Sequence, residues 1–162
     1  MNYLQIEKAS VANGKGIRTV LWVSGCSLHC KGCQNPESWD FNAGKPFDDN
    51  AKQELFTYLE NPYIQGLTIS GGDPLSLPNR NTVAHIISKV RNKYGDSKTI
   101  WIYTGYTYEE LISQNLNKEE WFNEINVLVD GRYIDDKRDV KFPFRGSTNQ
   151  RLIKIKQVKP DA

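Results

Sequence analysis

The 162-residue sequence contains only three cysteines, two histidines and one methionine, and it has no long apolar run. No segment approaches the roughly 18 consecutive apolar residues that indicate a membrane span, so no transmembrane helix and no membrane partner are expected. The first residues also lack a basic region followed by an apolar core, which argues against a secretory signal. These absences make the cytoplasm the expected location.

An excess of charge of one sign is also missing. The chain has 21 Lys and Arg against 19 Asp and Glu, with a formal net charge of +2. Proteins that bind nucleic acid usually concentrate basic residues in a patch or stripe, so nucleic acid is not the expected partner. The length predicts one domain over residues 1–162, with a tail from about 153 to 162 that carries no assigned motif.

Patterns typical of strands and helices alternate along the chain. Strands are predicted where short β-branched or aromatic runs end at a glycine or turn, and helices where apolar residues recur at helical spacing. The predicted strands are 18–24, 66–70, 99–104, 125–129 and 151–158, and the predicted helices are 48–60, 82–94 and one beginning near Thr107. Thr107 and Glu110 have the spacing of a capping box. The alternation predicts an α/β fold with a mostly parallel sheet.

The chain is short for a closed barrel. A complete eight-stranded (β/α) barrel takes about 250 residues, so we expect a partial, open (β/α) barrel of four to six strands. Ligands in such folds bind at the carboxyl ends of the strands. Glycines follow the predicted strands at Gly25, Gly71, Gly72, Gly105 and Gly131. The binding site is therefore expected at that end of the sheet.

The three cysteines lie together in the loop after the first of these predicted strands. Cys26, Cys30 and Cys33 have the spacing C-x3-C-x2-C. Three closely spaced cysteines make a poor disulfide framework, and in a cytosolic chain such a cluster points to metal or redox chemistry.

Three alternative roles for this loop stay open: a structural zinc site, a set of unligated core cysteines and a ferredoxin-type cluster. Structural zinc usually takes four ligands, and only His29 and His85 could complete the set. His29 lies inside the loop, where it can hardly close a tetrahedron with its neighbours. Unligated cysteines are common in cores, but a loop with Gly32 and Pro36 does not resemble a packing face. An electron-transfer ferredoxin would normally supply four cysteines to its cluster.

The missing fourth ligand is informative. Three thiolates leave one iron of a four-iron cluster open, as catalytic metal sites keep one position free. The cysteine pattern resembles the signature of the radical S-adenosylmethionine (SAM) superfamily. This resemblance implies a [4Fe-4S] cluster on Cys26, Cys30 and Cys33, with the amino and carboxylate groups of SAM on the open iron. Gly32 is a departure, because many members carry an aromatic residue at that position.

A second motif, Gly71-Gly72-Asp73-Pro74, follows the next strand. By itself it predicts only a tight turn, although glycine does let a backbone approach a ligand closely. In this position it resembles the superfamily's glycine-glycine-acid motif. The resemblance implies that Gly71, Gly72 and Asp73 hold the amino group of SAM.

Two further strand ends carry weaker signals. By analogy with the same fold, Thr104 or Asp130 would hydrogen-bond the ribose of SAM, and Tyr103 and Tyr106 would flank its adenine. Simple turns and core packing account for these four residues as well.

The segment Cys33-Gln34-Asn35-Pro36-Glu37-Ser38-Trp39 resembles the extension found after the cysteines in activases of glycyl radical enzymes. On this resemblance, Gly32, Cys33 and Gln34 are expected to contact the cofactors. Segments 13–18, 70–75, 101–106, 127–133 and 145–151 resemble the small activase of the anaerobic (class III) ribonucleotide reductase. The resemblance covers about residues 2 to 152 and implies a single radical SAM domain.

The implied function is activation of a partner enzyme. A reduced cluster would cleave SAM to methionine and a 5′-deoxyadenosyl radical, which would take a hydrogen atom from a glycine of the anaerobic reductase large subunit. A flavodoxin- or ferredoxin-type protein would donate the electron. Segment 145–151 would contact the reductase, close over the site or form a polar surface loop. Alternatives are activation of another glycyl radical enzyme, a radical SAM enzyme of small molecules, and a non-catalytic metal-binding regulatory module.

Overall fold

A computed structural model describes residues 1–33 and 35–156. Gln34 and residues 157–162, which include the end of the last predicted strand, lie outside the described residues. The strands are β1 (Asn2–Ser10), β2 (Arg18–Val23), β3 (Lys45–Pro46), β4 (Gly66–Gly71), β5 (Thr99–Tyr103), β6 (Val127–Asp130) and β7 (Arg151–Lys154). The α-helices are α1 (Asp49–Leu59), α2 (Leu77–Tyr94) and α3 (Tyr108–Ser113).

The strands form one open, mixed sheet in the order β3-β1-β2-β4-β5-β6-β7. The four central strands β2, β4, β5 and β6 are parallel, whereas β1, β3 and β7 pair antiparallel. The prediction of a mostly parallel sheet thus holds for the centre alone. The expected four to six strands were too few, because the described chain has a 7-stranded sheet.

The two unpredicted strands, β1 and β3, lie at one edge of the sheet. β3 pairs only with Asn2 and Tyr3, so most of β1 has a partner on one side alone. Strand β1 is largely half-exposed and carries charged residues such as Glu7 and Lys8. A strand in this setting lacks the apolar run that marks a buried strand. This is why β1 gave no clear signal in the sequence.

The helices begin and end at identifiable residues. Helix α1 follows Asp48, whose carboxylate accepts a hydrogen bond from the Ala51 backbone N–H at 2.9 Å, and the predicted capping box of Thr107 and Glu110 is present at α3. Helix α2 starts at Leu77 rather than near residue 82. Pro78 is compatible with the first turn of a helix, because backbone N–H groups there have no partner within the helix. Within the described residues, none of the helices has the length and apolarity needed to cross a bilayer.

The two faces of the sheet differ because successive side chains along a strand point in opposite directions. One face packs against the helices and supplies the buried core, which includes Leu21, Val23, Leu67, Ile69, Ile100 and Ile102 from the strands and Leu55, Leu59, Val83, Ile86 and Leu111 from the helices. Burying each such side chain contributes roughly 1.5–3 kcal/mol. At the intervening positions, Trp22, Ser70 and Tyr103 face a cavity on the other side. The sheet therefore has one face for the core and one for a site.

Candidate functional site

A cavity of about 510 Å³ lies at the carboxyl ends of the parallel strands. Small-molecule sites typically have volumes of about 300–1,000 Å³. The turns after β2, β4, β5 and β6 all contribute to its wall, together with the N-terminal turn at residues 12–13 and several residues between 138 and 150. A cavity is therefore present at the end of the sheet where the site is expected.

All three cysteines line this cavity as half-buried free thiols. Their loop is anchored by backbone hydrogen bonds from Gly25 N to Ser38 O at 2.7 Å and from Cys26 N to Trp39 O at 3.1 Å. Gly25 has a φ of +102°, and a Cβ there would lie 1.9 Å from a ring carbon of Phe41. Glycine is thus required where strand β2 turns into the cysteine loop.

The three thiols lie along one wall of the cavity, but they are not arranged to hold a metal ion. Burial is the main cause that raises the pKa of Cys26, while backbone hydrogen bonds from Leu28 and His29 oppose it. The Sγ of Cys33 accepts a hydrogen bond from Asn35 N at 3.4 Å. In residues 1–33 and 35–156, no three His, Cys, Asp or Glu side chains are arranged to hold a metal ion.

His29 stacks on the Trp39 ring with centroids 4.5 Å apart and planes 10° from parallel. This contact gives His29 a packing role within the loop. Gly32 has a φ of +77°, and a Cβ there would lie 3.1 Å from the Asp135 side chain. Gly32 is not among the residues that line the cavity, whereas its neighbour Cys33 is. Gln34, the third residue predicted here, is outside the described residues.

The glycine pair after β4 lets two turns touch. Gly71 has a φ of +107°, and a Cβ there would lie 2.5 Å from Val23 O. A Cβ on Gly72 would lie 2.4 Å from Gly25 O. Both glycines also line the cavity. Their first physical role is therefore to allow the ends of β2 and β4 to approach each other, and this closeness puts the turn beside the cysteine loop.

Asp73 connects the end of β4 to the end of β5. Its carboxylate is 1% exposed and accepts hydrogen bonds from Leu75 N, Thr104 Oγ1 and Gly105 N, each at 2.9 Å. Burial raises the pKa of Asp73, and these hydrogen bonds act in the opposite direction. Asp73 and Thr104 both line the cavity, but they are also each other's partners.

Asp130 lies outside the cavity lining, although its neighbour Gly131 belongs to it. The fully buried Asp130 carboxylate accepts from Tyr108 N at 2.8 Å and from Arg151 Nε at 3.0 Å. Asp130 thus fixes the start of α3 and strand β7. Its predicted contact with a ribose stays a prediction.

The tyrosines predicted to flank an adenine have different surroundings. Tyr103 lines the cavity, and burial raises the pKa of its hydroxyl. Tyr106 packs instead against the hydrophobic core.

Sequence reasoning missed Trp22 and Asn79. The buried Trp22 Nε1 has no hydrogen-bond partner in the described part of the chain, and Trp22 lines the cavity. Asn79 in the first turn of α2 donates from Nδ2 to Ser24 O at 2.9 Å and to Asp73 O at 3.0 Å. The alternation along β2 could have assigned Trp22 to the face opposite Leu21. No local signal identifies the partners of Asn79.

One side of the cavity is formed by residues of the segment from Arg138 to Gln150, which leads into strand β7. The Arg145 guanidinium donates to Asp139 at 2.9 Å and lies 4.1 Å from the Phe142 ring centroid. The Gln150 side-chain carbonyl accepts from Gly146 N at 2.7 Å, and its amide donates to Gly131 O at 3.0 Å. The predicted polar segment 145–151 is therefore tied to the cavity wall.

Comparisons with known proteins identify the family to which the chain is related. The family described as "4Fe-4S single cluster domain" matches residues 12–153. The chain is 42% identical to the anaerobic ribonucleoside-triphosphate reductase-activating protein of Haemophilus influenzae, over 96% of this chain and 99% of that protein. It is 39% identical to the protein of the same name from Enterobacteria phage T4, over 94% and 93%. With the one from Escherichia coli (strain K12), identity is 38% over 93% and 96%.

Proposed function

The chain belongs to the 4Fe-4S single cluster domain family and to the anaerobic ribonucleoside-triphosphate reductase-activating proteins, and we propose that it is a radical SAM enzyme that generates a glycyl radical on such a reductase. The observation that carries the proposal is the shared cavity wall formed by the three cysteines and the Gly71–Asp73 turn. This arrangement would hold a cluster and its ligand side by side.

The donor set fits an iron–sulfur cluster with one open iron. Cys26, Cys30 and Cys33 are the only cysteines of the sequence, and thiolates are the usual ligands of such clusters. Assembly would draw the three sulfurs together by moving the short loop that carries them. When bound, cluster and SAM together would supply the one-electron cleavage that yields methionine and a 5′-deoxyadenosyl radical able to take a hydrogen atom from glycine.

The cavity also fits SAM. Its wall offers the indole N–H of Trp22, which has no hydrogen-bond partner among residues 1–33 and 35–156 and suits a carboxylate or another acceptor on the ligand. Gly71 and Gly72 line the cavity beside the cysteine loop, where the backbone of a glycine turn could approach a ligand closely. Of the two residues proposed for the ribose, Thr104 lines the cavity and Asp130 does not, which favours Thr104.

The proposed partner is a polypeptide, the anaerobic ribonucleotide reductase large subunit. In the described part of the chain the sheet ends at β3 and β7 without closing, which supports a single radical SAM domain in the form of a partial barrel. Such a fold would leave the cavity accessible to a glycine-bearing segment of the reductase, next to residues 138–150. A flavodoxin- or ferredoxin-type donor would reduce the cluster.

The test is an anaerobic assay of cluster-loaded protein, reduced and mixed with SAM, with and without the reductase. We expect 5′-deoxyadenosine in both samples and a glycyl radical on the reductase, detected by electron paramagnetic resonance. SAM cleavage without that radical would contradict the proposed partner. One zinc per chain without sulfide, or a loaded and reduced cluster that cleaves no SAM, would contradict the enzymatic proposal and favour a metal-binding module.

A further inference from the structure

We propose that Asn79 is a positioning residue that sets the placement of Cys26 through the backbone of the cysteine loop, an inference that rests on the proposed function of the site. Asn79 is 1% exposed in the first turn of α2. Its Nδ2 donates to Ser24 O at 2.9 Å, to Asp73 O at 3.0 Å and, more weakly, to Gly25 O at 3.4 Å. One amide group thus faces three backbone carbonyls.

The three carbonyls belong to the two turns that bracket the cofactor cavity. Ser24 and Gly25 directly precede Cys26, and Asp73 ends the glycine-glycine-acid turn. Carbonyl dipoles that point at one spot repel each other, and a shared N–H₂ group offsets this repulsion. Gly25 O and Asp73 O also accept from the backbone N–H groups of Asp73 and Ser76, so removing the amide would deprive chiefly Ser24 O of its donor, which costs about 1–3 kcal/mol. The backbone that precedes Cys26 is expected to shift relative to α2 in response.

The remaining anchors of the loop act at other backbone groups. Gly25 N and Cys26 N donate to Ser38 O and Trp39 O, so they hold the loop from the opposite side. The bond from Asp73 N to Gly25 O at 2.7 Å ties the turns to each other, and Ser76 N, at the start of α2, donates to Asp73 O at 3.1 Å. Asn79 therefore links helix α2 directly to the backbone that precedes Cys26, the first proposed cluster ligand.

Groups behind metal ligands typically affect metal affinity or activity by 10- to 100-fold, and we expect an effect of roughly this size for Asn79→Ala. The reconstituted variant should hold less iron and sulfide than the wild type or bind SAM roughly 10- to 100-fold more weakly. The paramagnetic resonance spectrum of its reduced cluster should also differ, both alone and after addition of SAM. Asn79→Asp keeps the shape but points an oxygen at the carbonyls, and it should be affected at least as strongly. Asn79→Ser keeps one donor and should recover part of the SAM affinity.

The matched control is Asn126→Ala. Asn126 is another buried asparagine, 4% exposed, but it lies at the amino edge of the sheet, where its Oδ1 accepts from Ile100 N at 2.7 Å. We expect Asn126→Ala to lower thermal stability to a similar degree while it keeps the wild-type cluster spectrum and SAM affinity. A purely structural role for Asn79 would make the two variants alike.

The inference is overturned if the Asn79 variants match the wild type in iron content, cluster spectrum and SAM affinity, or if Asn126→Ala changes these quantities equally. Failure of this inference can be distinguished from failure of the proposed function. Cleavage of SAM by the wild type tests that function alone, and iron content is measured without SAM.

Discussion

Buried polar groups lie at both ends of the parallel strands, the amino edge and the carboxyl edge, but they have different roles there. At the amino edge, the Arg18 guanidinium is 1% exposed and donates to Thr68 Oγ1 at 2.8 Å, to Thr99 Oγ1 at 2.8 Å and to three backbone carbonyls. Lys98 Nζ likewise donates to Asn61 O at 3.0 Å. Both of these cations therefore have partners among the described residues.

At the carboxyl edge, one buried donor, the Trp22 N–H, has no partner among the described residues. Asp73 and Asn79 join the turns after β2, β4 and β5, while the three thiols and the Trp22 N–H face a cavity. Buried polar groups in native proteins are nearly always paired, and the exceptions call for a physical reason. The comparison teaches that the buried cations of one edge are paired, whereas the Trp22 N–H of the other edge is left available to a ligand.

The strongest way to break this comparison is Cys26→Ser. A hydroxyl is a poor substitute for a thiolate on iron, so we expect loss of the cluster and of SAM cleavage with the fold retained. Iron content and 5′-deoxyadenosine formation measure the effect. As a control, His29→Phe should keep the ring stack on Trp39 and retain iron. Wild-type iron content in Cys26→Ser would contradict the ligand assignment, and loss of metal in His29→Phe would favour the zinc alternative.

At the amino edge, Arg18→Met should act on stability instead. It leaves the buried acceptors on Thr68 and Thr99 without their donor, which is expected to lower the free energy of unfolding by at least about 1–3 kcal/mol. Urea denaturation would show this change. The control is Arg132→Met, because the Arg132 side chain is 43% exposed in its ion pair with Glu110 and such pairs contribute about 0–1 kcal/mol. Equal effects of the two variants would remove the special role of the amino edge.

Trp22→Phe sharpens the comparison by removing one donor from the cavity. If the indole N–H binds SAM, its loss should weaken SAM binding about 2- to 10-fold, the equivalent of one hydrogen bond. Isothermal titration of cluster-loaded protein measures the affinity. Trp39→Phe is a close match, since Trp39 Nε1 is also buried without a partner in the described residues but Trp39 does not line the cavity. A larger loss of affinity in Trp39→Phe would contradict the assignment.

The smallest effect concerns the pH dependence of stability through Asp73. Burial raises the pKa of this carboxyl above its ordinary value of 3.8, so the folded protein binds the proton more tightly than the unfolded chain. The contribution to stability is therefore fully present below pH 3.8 and is lost as the pH rises through the raised pKa. As the pH falls from neutral, we expect the free energy of unfolding of the wild type to increase relative to that of Asp73→Asn. A difference between the two that does not vary with pH would contradict this.

The sequence by itself determined the features that depend on neighbouring residues. The spacing of Cys26, Cys30 and Cys33 after a buried strand, the capping box at Thr107 and the glycine turns at strand ends are all local. Periodicity was sufficient to locate the central strands, because their apolar runs are short and bounded by turns. The cavity at the carboxyl ends then followed from the parallel order of these strands.

Only the tertiary structure decided which buried groups meet. Asn79 and Ser24 are 55 positions apart. Asp73 and Asp130 both follow strands and looked alike as candidate ligand-binding residues, but Asp130 pairs with Arg151. Strand β1 was added to the sheet by its pairing with β2, since its own pattern was weak. Hydrogen bonds of buried polar groups depend on segments that folding brings together from far along the chain, and local spacing carries no information about them.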